Sequence, residues 1–184
     1  MRNLNIHIND NLPPMYDPTA VQPMRDELTA TGFEELLTPE AVDQTLSAQN
    51  NETVLLVVNS VCGCAAGSAR PGATLALQHH TIPDRFVTVF AGQDRAAVEH
   101  VRRTYLADVP PSSPSMALFK NGKPIYVLHR REIEGRPEKM IASVLAKVFE
   151  QHCNRKGPAI SPESYAQLTH AIACGSTIPR YAQQ

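Results

Sequence analysis

The amino-acid sequence predicts an α/β fold in which a mixed, four-stranded sheet is flanked by helices. Three segments carry this prediction: the apolar run TVLLVV, two strand-like segments joined by Asn121-Gly122, and an amphipathic stretch, PEKMIASVLAKVFEQHC. A continuous apolar run is typical of a strand that is buried on both faces, and Asn-Gly is the strongest short signal for a hairpin. From Thr53 onward the predicted order is β, α, β, α, β, β, α, which favours a mixed sheet between layers of helices.

Helices are predicted both before and between these strands. Ahead of the first strand, residues 17–32 carry apolar side chains at helical spacing, and TPEAVDQTL begins with Thr38 as N-cap and Pro39 at the first helical position. After this strand, residues 62–80 suit a helix that Pro71 should kink, because proline lacks an N–H group and clashes with the preceding turn. The segments RFVTVFAG and DRAAVEHVRRTYL then predict a parallel strand and a second helix.

The sequence divides into a polar leader at residues 1–14, one domain at residues 15–153 and a C-terminal extension at residues 154–184. The extension is polar and contains prolines, but SPESYAQLTHAIACG has the pattern of one short helix, with Ser161 as its N-cap and Gly175 at its end. An apolar stripe is expected to dock this helix on the domain or on a partner; it consists of Tyr165, Leu168 and Ile172.

Composition and charge argue against several classes of function. The chain has 184 residues, of which 42% are hydrophobic and 19% charged, and its formal net charge is -1. Its lysines and arginines are scattered, so we expect neither nucleic acid nor a membrane as a partner. The longest apolar runs are far shorter than the ~20 residues that span a bilayer, and the first residues lack the apolar core of a signal peptide. We therefore expect a cytoplasmic protein.

Two of the four cysteines, Cys62 and Cys64, stand one residue apart where the apolar strand gives way to a helix. In a reducing compartment such a pair starts as thiols, and it is more often catalytic or metal-binding than structural. At the first turn of a helix, unpaired backbone N–H groups and the helix dipole favour the thiolate form. This position is expected to lower the pKa of Cys62 and to make it a nucleophile.

A metal site is the alternative to a redox pair. Cys62 and Cys64 could chelate zinc, but a closed structural site needs four ligands. The remaining candidate ligands follow no recognisable spacing, which favours the redox pair and predicts no metal; they are His79, His80, Cys153 and Cys174.

The cysteine pair and its surroundings resemble a known family. The predicted order of elements, with SSPSMALFKNGKPIYVL opening the hairpin, resembles the thioredoxin fold, in which a proline at the place of Pro114 is cis and lies against the active-site cysteines. The segments MYDPTAVQPMRDELTATGFEELLTPEAVD, VCGCAAGSARPG and PPSSPSMALFKNGKPIYVLHRREIEG resemble the bacilliredoxin family more particularly. This resemblance extends from about Met15 to Cys153, which is most of the chain.

The resemblance implies a function and a site. Cys62 would attack mixed disulfides between protein thiols and bacillithiol, a low-molecular-weight thiol, and Cys64 would close an intramolecular disulfide with it. Pro114, with Gly63 and Ser113, would shape the groove for the substrate's sulfur. The implied partners are S-thiolated or disulfide-bonded proteins, the small thiol as co-substrate, and a flavin-dependent disulfide reductase that regenerates the enzyme. No resident cofactor is implied.

Several alternatives stay open. The chain has no Trp, and residues 54–58 hold no carboxylate to accept a proton, which disfavours a general protein-disulfide reductase. Disulfide isomerisation by the same cysteines is one alternative, and a non-catalytic metal-binding or interaction module is another. Because one intervening residue makes a tight disulfide ring, Cys153 or Cys174 could also resolve a mixed disulfide at Cys62 in place of Cys64.

Overall fold

The structure, a computed structural model, describes residues 12–172 and 177–181. Its strands in chain order are β1 (Glu34–Glu35), β2 (Thr53–Asn59), β3 (Thr81–Ile82), β4 (Arg85–Phe90), β5 (Ser115–Lys120), β6 (Lys123–Leu128) and β7 (Arg155–Lys156). The main sheet has five strands in the order β1-β4-β2-β5-β6, and β3 pairs with β7 in a separate sheet of two strands. In the main sheet β1, β4 and β2 are parallel, whereas β5 and β6 add antiparallel pairings.

Seven α-helices accompany these strands in the part of the chain that the structure describes. They are α1 (Pro18–Thr29), α2 (Pro39–Leu46), α3 (Arg70–Ala76), α4 (Arg95–His100), α5 (Arg130–Ile133), α6 (Glu138–His152) and α7 (Pro162–Ala166). Thr38 caps α2 as predicted, since its side chain accepts a hydrogen bond from the backbone of Ala41. None of these helices is both long and apolar enough to cross a membrane.

The central strand β2 is buried on both faces, as its apolar sequence predicts. Leu55 and Val57 face a cluster formed with α3 and α6, and Leu56 and Val58 face a second cluster formed with α2 and α4. The sheet is therefore a middle layer between two layers of helices. This arrangement confirms the α/β class and the thioredoxin-like fold.

The main sheet has five strands, one more than the sequence predicts. The additional strand, β1, is only two residues long and pairs in parallel with Val87 and Thr88 of β4. Two consecutive glutamates have no β-propensity, so the strand arises from its position at the sheet edge and not from its sequence. The hairpin between β5 and β6 is confirmed, and its turn residues Asn121 and Gly122 have positive φ angles of 49° and 75°.

The helix that follows Cys64 changes type where Pro71 was expected to kink it. A π-helical turn, Ala65–Ala69, runs directly into α3, and Pro71 lies in the first turn of α3. Proline at this position is tolerated because its missing N–H group would have no α-helical partner. The wider π turn thus accommodates the proline within a segment that is helical throughout.

Gly72 sets the distance between α3 and α6. A Cβ atom on Gly72 would lie 2.7 Å from the Cβ atom and 2.8 Å from the Cγ2 atom of Ile141. We expect Gly72→Ala to lower the free energy of unfolding by about 1–3 kcal/mol, because the two helices would have to separate. Gly67→Ala is the matched control, since no atom lies within 4 Å of its added Cβ. Equal urea-unfolding midpoints for the two variants would contradict this packing.

The C-terminal extension forms one short helix, but its extent and docking differ from the prediction. The helix α7 is capped by Ser161 as predicted and ends at Ala166, and Ile172, expected to dock, is 86% exposed. Beyond the helix, Ala171 uses both backbone groups in bonds to buried side chains of the domain. These bonds replace the helical hydrogen bonds that the pattern predicts. The predicted end of the helix at Gly175 lies outside the described residues.

Candidate active site

Four loops meet at the edge of the sheet where β2 ends. Because β4 is parallel to β2, both strands end at this edge, while the antiparallel β5 begins there and β6 ends there. The loop after β2 carries Cys62, and the loop after β4 carries Gly92. Ser113 precedes β5, and Arg130 follows β6. The topology therefore brings together residues that are far apart in the sequence.

Cys62 occupies the start of the helix that follows β2. Its carbonyl group accepts hydrogen bonds from the backbone N–H groups of Ala65 and Ala66, at 3.0 and 3.2 Å. Its sulfur lies 2.6 Å from the sulfur of Cys64 and 3.1 Å from the hydroxyl oxygen of Ser60. Both cysteines are free thiols and are partly exposed, so the pair is accessible and close enough to form a disulfide.

The surroundings of Cys62 favour its thiolate form. Burial alone would raise the pKa of the Cys62 thiol, but hydrogen bonds from Cys64 and Ser60 outweigh it and lower the pKa below its ordinary value. The backbone N–H group of Ala65 and the positive charge of Arg130 lower this pKa further. Cys62 therefore has the environment of a nucleophile.

Cys64 has the opposite environment. Its burial, its hydrogen bond to Cys62 and the negative charge of Cys62 raise the pKa of Cys64 to about 11. At neutral pH the Cys64 thiol is therefore protonated and donates its hydrogen to the Cys62 sulfur. The two thiols are chemically distinct, and the first cysteine of the pair is the one prepared to attack.

Ser60 is expected to contribute directly to the reactivity of Cys62. Ser60→Ala removes a hydrogen bond to the thiolate, so we expect the pKa of Cys62 to rise. Below its pKa, the alkylation of Cys62 by iodoacetamide should then slow, by about tenfold for each pKa unit. The pH dependence of Cys62 labelling, followed by mass spectrometry, measures this effect, with Ser143→Ala on the exposed face of α6 as control. An unchanged pH profile in Ser60→Ala would contradict the assignment.

A cleft of about 330 Å³ opens beside Cys62. Ser113 and Arg130 line one part of it, and Arg102, in the π-helical turn after α4, lines another. Met15 and Tyr16 of the N-terminal segment complete its rim. The cleft thus joins the reactive thiol to two guanidinium groups.

The loop before β5 contains the cis proline that the resemblance implies. The peptide bond between Ser113 and Pro114 is cis, which confirms that expectation, and Pro114 is buried. Ser115 pairs with Val58 at the end of β2, which brings this loop beside the cysteine loop. The Ser113 carbonyl accepts a hydrogen bond from Arg130 at 3.4 Å. Gly63 is exposed, and a Cβ atom added to it would meet no atom within 4 Å.

Cys153 lies at the other end of the molecule. It is buried and 5% exposed, and its neighbours are Thr53 and Asp84, at the beginning of β2. Burial raises the pKa of its thiol. Cys62 follows the end of β2, so the length of this seven-residue strand, about 20 Å, separates the two cysteines. In this conformation Cys153 is therefore too far from Cys62 to resolve a mixed disulfide there, whereas Cys174 lies outside the described residues.

Among the described residues, Cys62 and Cys64 belong to no group of three side chains that could share a metal ion. Within residues 12–172 and 177–181, the side chains close enough to share a metal are His79, His80 and Glu150, whose ligand atoms lie within 4.8 Å of one another. His79 and His80 follow the end of α3, and Glu150 lies in the last turn of α6, away from the sheet edge that carries Cys62. A zinc site on the cysteine pair therefore finds no further ligand in the described part of the chain.

Three residues of this site were not identified from the sequence. Ser60 stands two positions before Cys62, but a serine in a loop gives no signal of its own. Arg102 and Arg130 lie in predicted surface segments, where charged residues are common. Only the topology of the sheet places these residues around the cleft.

Comparisons with known proteins agree with this geometry. The model of a protein family described as "Disulphide isomerase" matches residues 16–153. A protein named bacilliredoxin from Salinibacter ruber is 47% identical over 160 residues, which cover 87% of this chain and 93% of that protein. The chain belongs to the bacilliredoxin family. Its pair of free thiols at the start of a helix makes this bacilliredoxin-family protein a thiol–disulfide oxidoreductase.

Further bacilliredoxins and a solved structure show similarity over much of the chain. Bacilliredoxin BH1716 of Halalkalibacterium halodurans is 48% identical over 150 residues, 82% of this chain and 99% of that protein. The crystal structure of thioredoxin f2 from Chlamydomonas reinhardtii is 18% identical with a TM-score of 0.45, and the match covers 66% of this chain and 96% of that one. The family match ends at Cys153, so the C-terminal extension lies beyond it.

Proposed function

We propose that this oxidoreductase removes bacillithiol, or a related small thiol, from protein cysteines. The observation that carries the proposal is the asymmetric thiol pair, in which Cys62 has a lowered pKa and Cys64 a raised one. The cleft beside Cys62 has the size of a small-molecule subsite, and similar proteins carry the name bacilliredoxin. We expect the protein to act in the cytoplasm, where S-thiolated proteins would be its substrates.

In the first step, the Cys62 thiolate attacks the small thiol's sulfur in the mixed disulfide. A bond forms between Cys62 and the small thiol, the substrate's disulfide bond breaks, and the substrate cysteine leaves as a thiolate that takes up a proton. The hydrogen bonds from Cys64 and Ser60 stabilise the attacking thiolate before the reaction. The product is a restored protein thiol and an S-thiolated Cys62.

In the second step, Cys64 resolves this adduct. Once Cys62 is part of a mixed disulfide, its sulfur carries no negative charge and no longer accepts the hydrogen of the Cys64 thiol. The hydrogen bond and the charge of Cys62, which both raise the pKa of Cys64, are then lost, so this pKa falls. The Cys64 thiolate then attacks the Cys62 sulfur, a Cys62–Cys64 disulfide forms, and the small thiol leaves and takes up a proton. Two electrons have passed to the mixed disulfide, and an external reductant, a flavin-dependent disulfide reductase in our proposal, restores the pair.

The charges around the cleft favour a small thiol that carries a negative group. Of the described residues that line the cleft, Arg102 and Arg130 are the charged ones, and both are positive. Arg130 is held by Glu134 and by the Ser113 carbonyl. Arg102 is half-buried and has no hydrogen-bond or ion-pair partner among the described side chains. A guanidinium group in this state is available to a carboxylate of the bound thiol.

Arg102 is therefore expected to determine the affinity for an anionic thiol. Arg102→Gln should raise KM for an S-thiolated protein that carries a carboxylate-bearing thiol about tenfold, the loss typical of one charge-assisted hydrogen bond. The same protein thiolated with neutral 2-mercaptoethanol should be processed unchanged. Arg103→Gln is the matched control, because Arg103 is exposed and paired with Glu99 on the same helix. Equal effects of Arg102→Gln on both substrates would contradict this role.

The proposed activity is tested with one carrier protein thiolated in two ways. Reduced enzyme is mixed with the carrier bearing bacillithiol or glutathione, and the released carrier thiol is measured. We expect release far above the rate in buffer and a higher rate with bacillithiol. Release no faster than in buffer would overturn the proposal, and a preference for glutathione would identify a different small thiol.

Disulfide isomerisation is a second candidate, favoured by the description of the family that matches residues 16–153. Here Cys62 would attack a disulfide between two protein cysteines, and the protein's own thiol would release it in a new pairing. Recovery of activity from scrambled ribonuclease would support this candidate. Inertness towards scrambled ribonuclease, together with activity on the thiolated carrier, would exclude it.

A further inference from the structure

A buried ion pair lies directly behind the active site. Glu27 of α1 and Arg70 of α3 are 1% and 0% exposed, and the Nε atom of Arg70 donates to Glu27 at 2.7 Å. Taking two charges out of water is costly unless their remaining hydrogen-bonding groups are also satisfied. The groups that form hydrogen bonds with Glu27 and Arg70 therefore show which parts of the chain this ion pair holds in place.

One side of the ion pair holds the turn that carries Ser60. Arg70 donates from Nη1 to the Ser60 carbonyl at 3.1 Å and to the Asn59 side-chain oxygen at 3.3 Å. The same Asn59 oxygen accepts the backbone N–H group of Ser60 at 2.8 Å. Ser60 in turn places its hydroxyl group 3.1 Å from the Cys62 sulfur. A continuous series of bonds thus leads from the ion pair to the nucleophile.

The other side of the ion pair is completed by the C-terminal extension. Arg70 donates from Nη2 to the Ala171 carbonyl at 2.7 Å, and Ala171 donates its N–H group to Glu27 at 3.2 Å. The ring of His170 lies 2.6 Å from the second oxygen of Glu27. Without these contacts, an oxygen of a buried carboxylate and an N–H group of a buried guanidinium would lose their partners.

An apolar contact joins the same extension to the cysteine loop. Ile178 is buried in a cluster with Val61, the residue before Cys62, and with Val21 and Met24 of α1. Ala171 packs against this cluster. The extension therefore packs with the cysteine loop through Ile178 and reaches it indirectly through the Glu27–Arg70 pair.

We propose that the C-terminal extension positions the nucleophilic thiol. His170 and Ala171 hold the Glu27–Arg70 pair, and the pair holds the turn from which Ser60 reaches Cys62. The proposal rests on the proposed function only in taking Cys62 as the nucleophile. His170 is thus a positioning residue, since it acts on Cys62 through other side chains and does not touch the substrate cleft.

The reactivity of Cys62 with iodoacetamide, measured against pH, tests this proposal. Among the described residues, the charged and titratable groups around Cys62 are Cys64, Arg130, Arg102 and Tyr16, and all four stay unchanged in the variants. His170→Ala removes the ring contact to Glu27. His170→Asn is the rescue variant, because its amide N–H group can replace the Nδ1 donor. Thr169→Ala, at the exposed preceding residue, is the matched control.

In His170→Ala we expect the midpoint of the pH profile to rise and labelling of Cys62 below that midpoint to slow about three- to tenfold. His170→Asn should restore most of the wild-type rate, and Thr169→Ala should not change it. A profile for His170→Ala that coincides with wild type, whether or not the melting temperature falls, would overturn the proposal and leave the extension a purely structural role.

The same assay separates this proposal from the proposed function. Iodoacetamide needs no thiolated substrate, so the labelling profile does not depend on which disulfide the enzyme reduces. If Cys62 labels as expected but releases no small thiol from the carrier, the proposed function fails and the positioning role stands. If release proceeds normally and the profile of His170→Ala is unchanged, only the positioning role fails.

Discussion

Replacing Cys62 by alanine is expected to lower the rate of small-thiol release from a thiolated carrier by about a thousandfold or more. The attacking sulfur is absent in this variant, and Cys64 is not among the described residues that line the cleft. Burial also still raises the pKa of the Cys64 thiol when Cys62 is replaced. Release of the carrier thiol in a single turnover, under excess enzyme, measures the effect.

Cys64→Ala is the matched comparison, since it leaves the nucleophile in place. This variant should complete the first step and then stop, because it lacks the Cys64 thiol that resolves the adduct on Cys62. Its single-turnover rate should fall only severalfold, since it loses the hydrogen bond from Cys64 that lowers the pKa of Cys62. Equal losses in Cys62→Ala and Cys64→Ala would contradict the asymmetry of the pair.

The buried ion pair is expected to dominate the effect of point substitutions on stability. Arg70→Met should lower the free energy of unfolding by about 3–5 kcal/mol, because it leaves the carboxylate of Glu27 buried without its guanidinium partner. The double variant Glu27→Met/Arg70→Met should recover much of this loss, since no uncompensated charge remains. Urea-unfolding midpoints of the two variants measure the difference.

Arg85→Met provides the surface control for this comparison. Arg85 pairs with Glu34 at 2.6 Å, but the Glu34 side chain is exposed and the Arg85 side chain is only partly buried. Loss of such a pair changes stability by no more than about 1 kcal/mol. Equal free energies of unfolding for Arg70→Met and Arg85→Met would contradict the large effect on stability expected for the buried Glu27–Arg70 pair.

The parts of the fold that were predictable have strong local signals. The apolar run of β2 requires burial on both faces, and Asn121-Gly122 fits a tight hairpin turn whatever surrounds it. The position of Cys62 follows from the switch between strand and helix patterns. These features depend on residues that are adjacent in the sequence, which is why the sequence alone identifies them.

The features that were not predicted depend on residues brought together by the fold. Glu27 and Arg70 are 43 positions apart, and nothing in either helix pattern shows that they form a buried pair. The stripe that ends at Ile172 predicts a longer helix than the one observed, because the backbone of Ala171 bonds to this pair instead. In the sequence Arg102 cannot be distinguished from other surface arginines, because only the fold places it at the cleft.

The most direct test of the central claim is to locate the small thiol after the first step. Reduced Cys64→Ser enzyme is mixed with one equivalent of bacillithiolated carrier, quenched with acid and mapped by peptide mass spectrometry without reduction. The account predicts that the mass of the small thiol moves to the peptide carrying Cys62, with one equivalent of free carrier thiol. An unmodified Cys62, or the adduct on Cys153 instead, would contradict it.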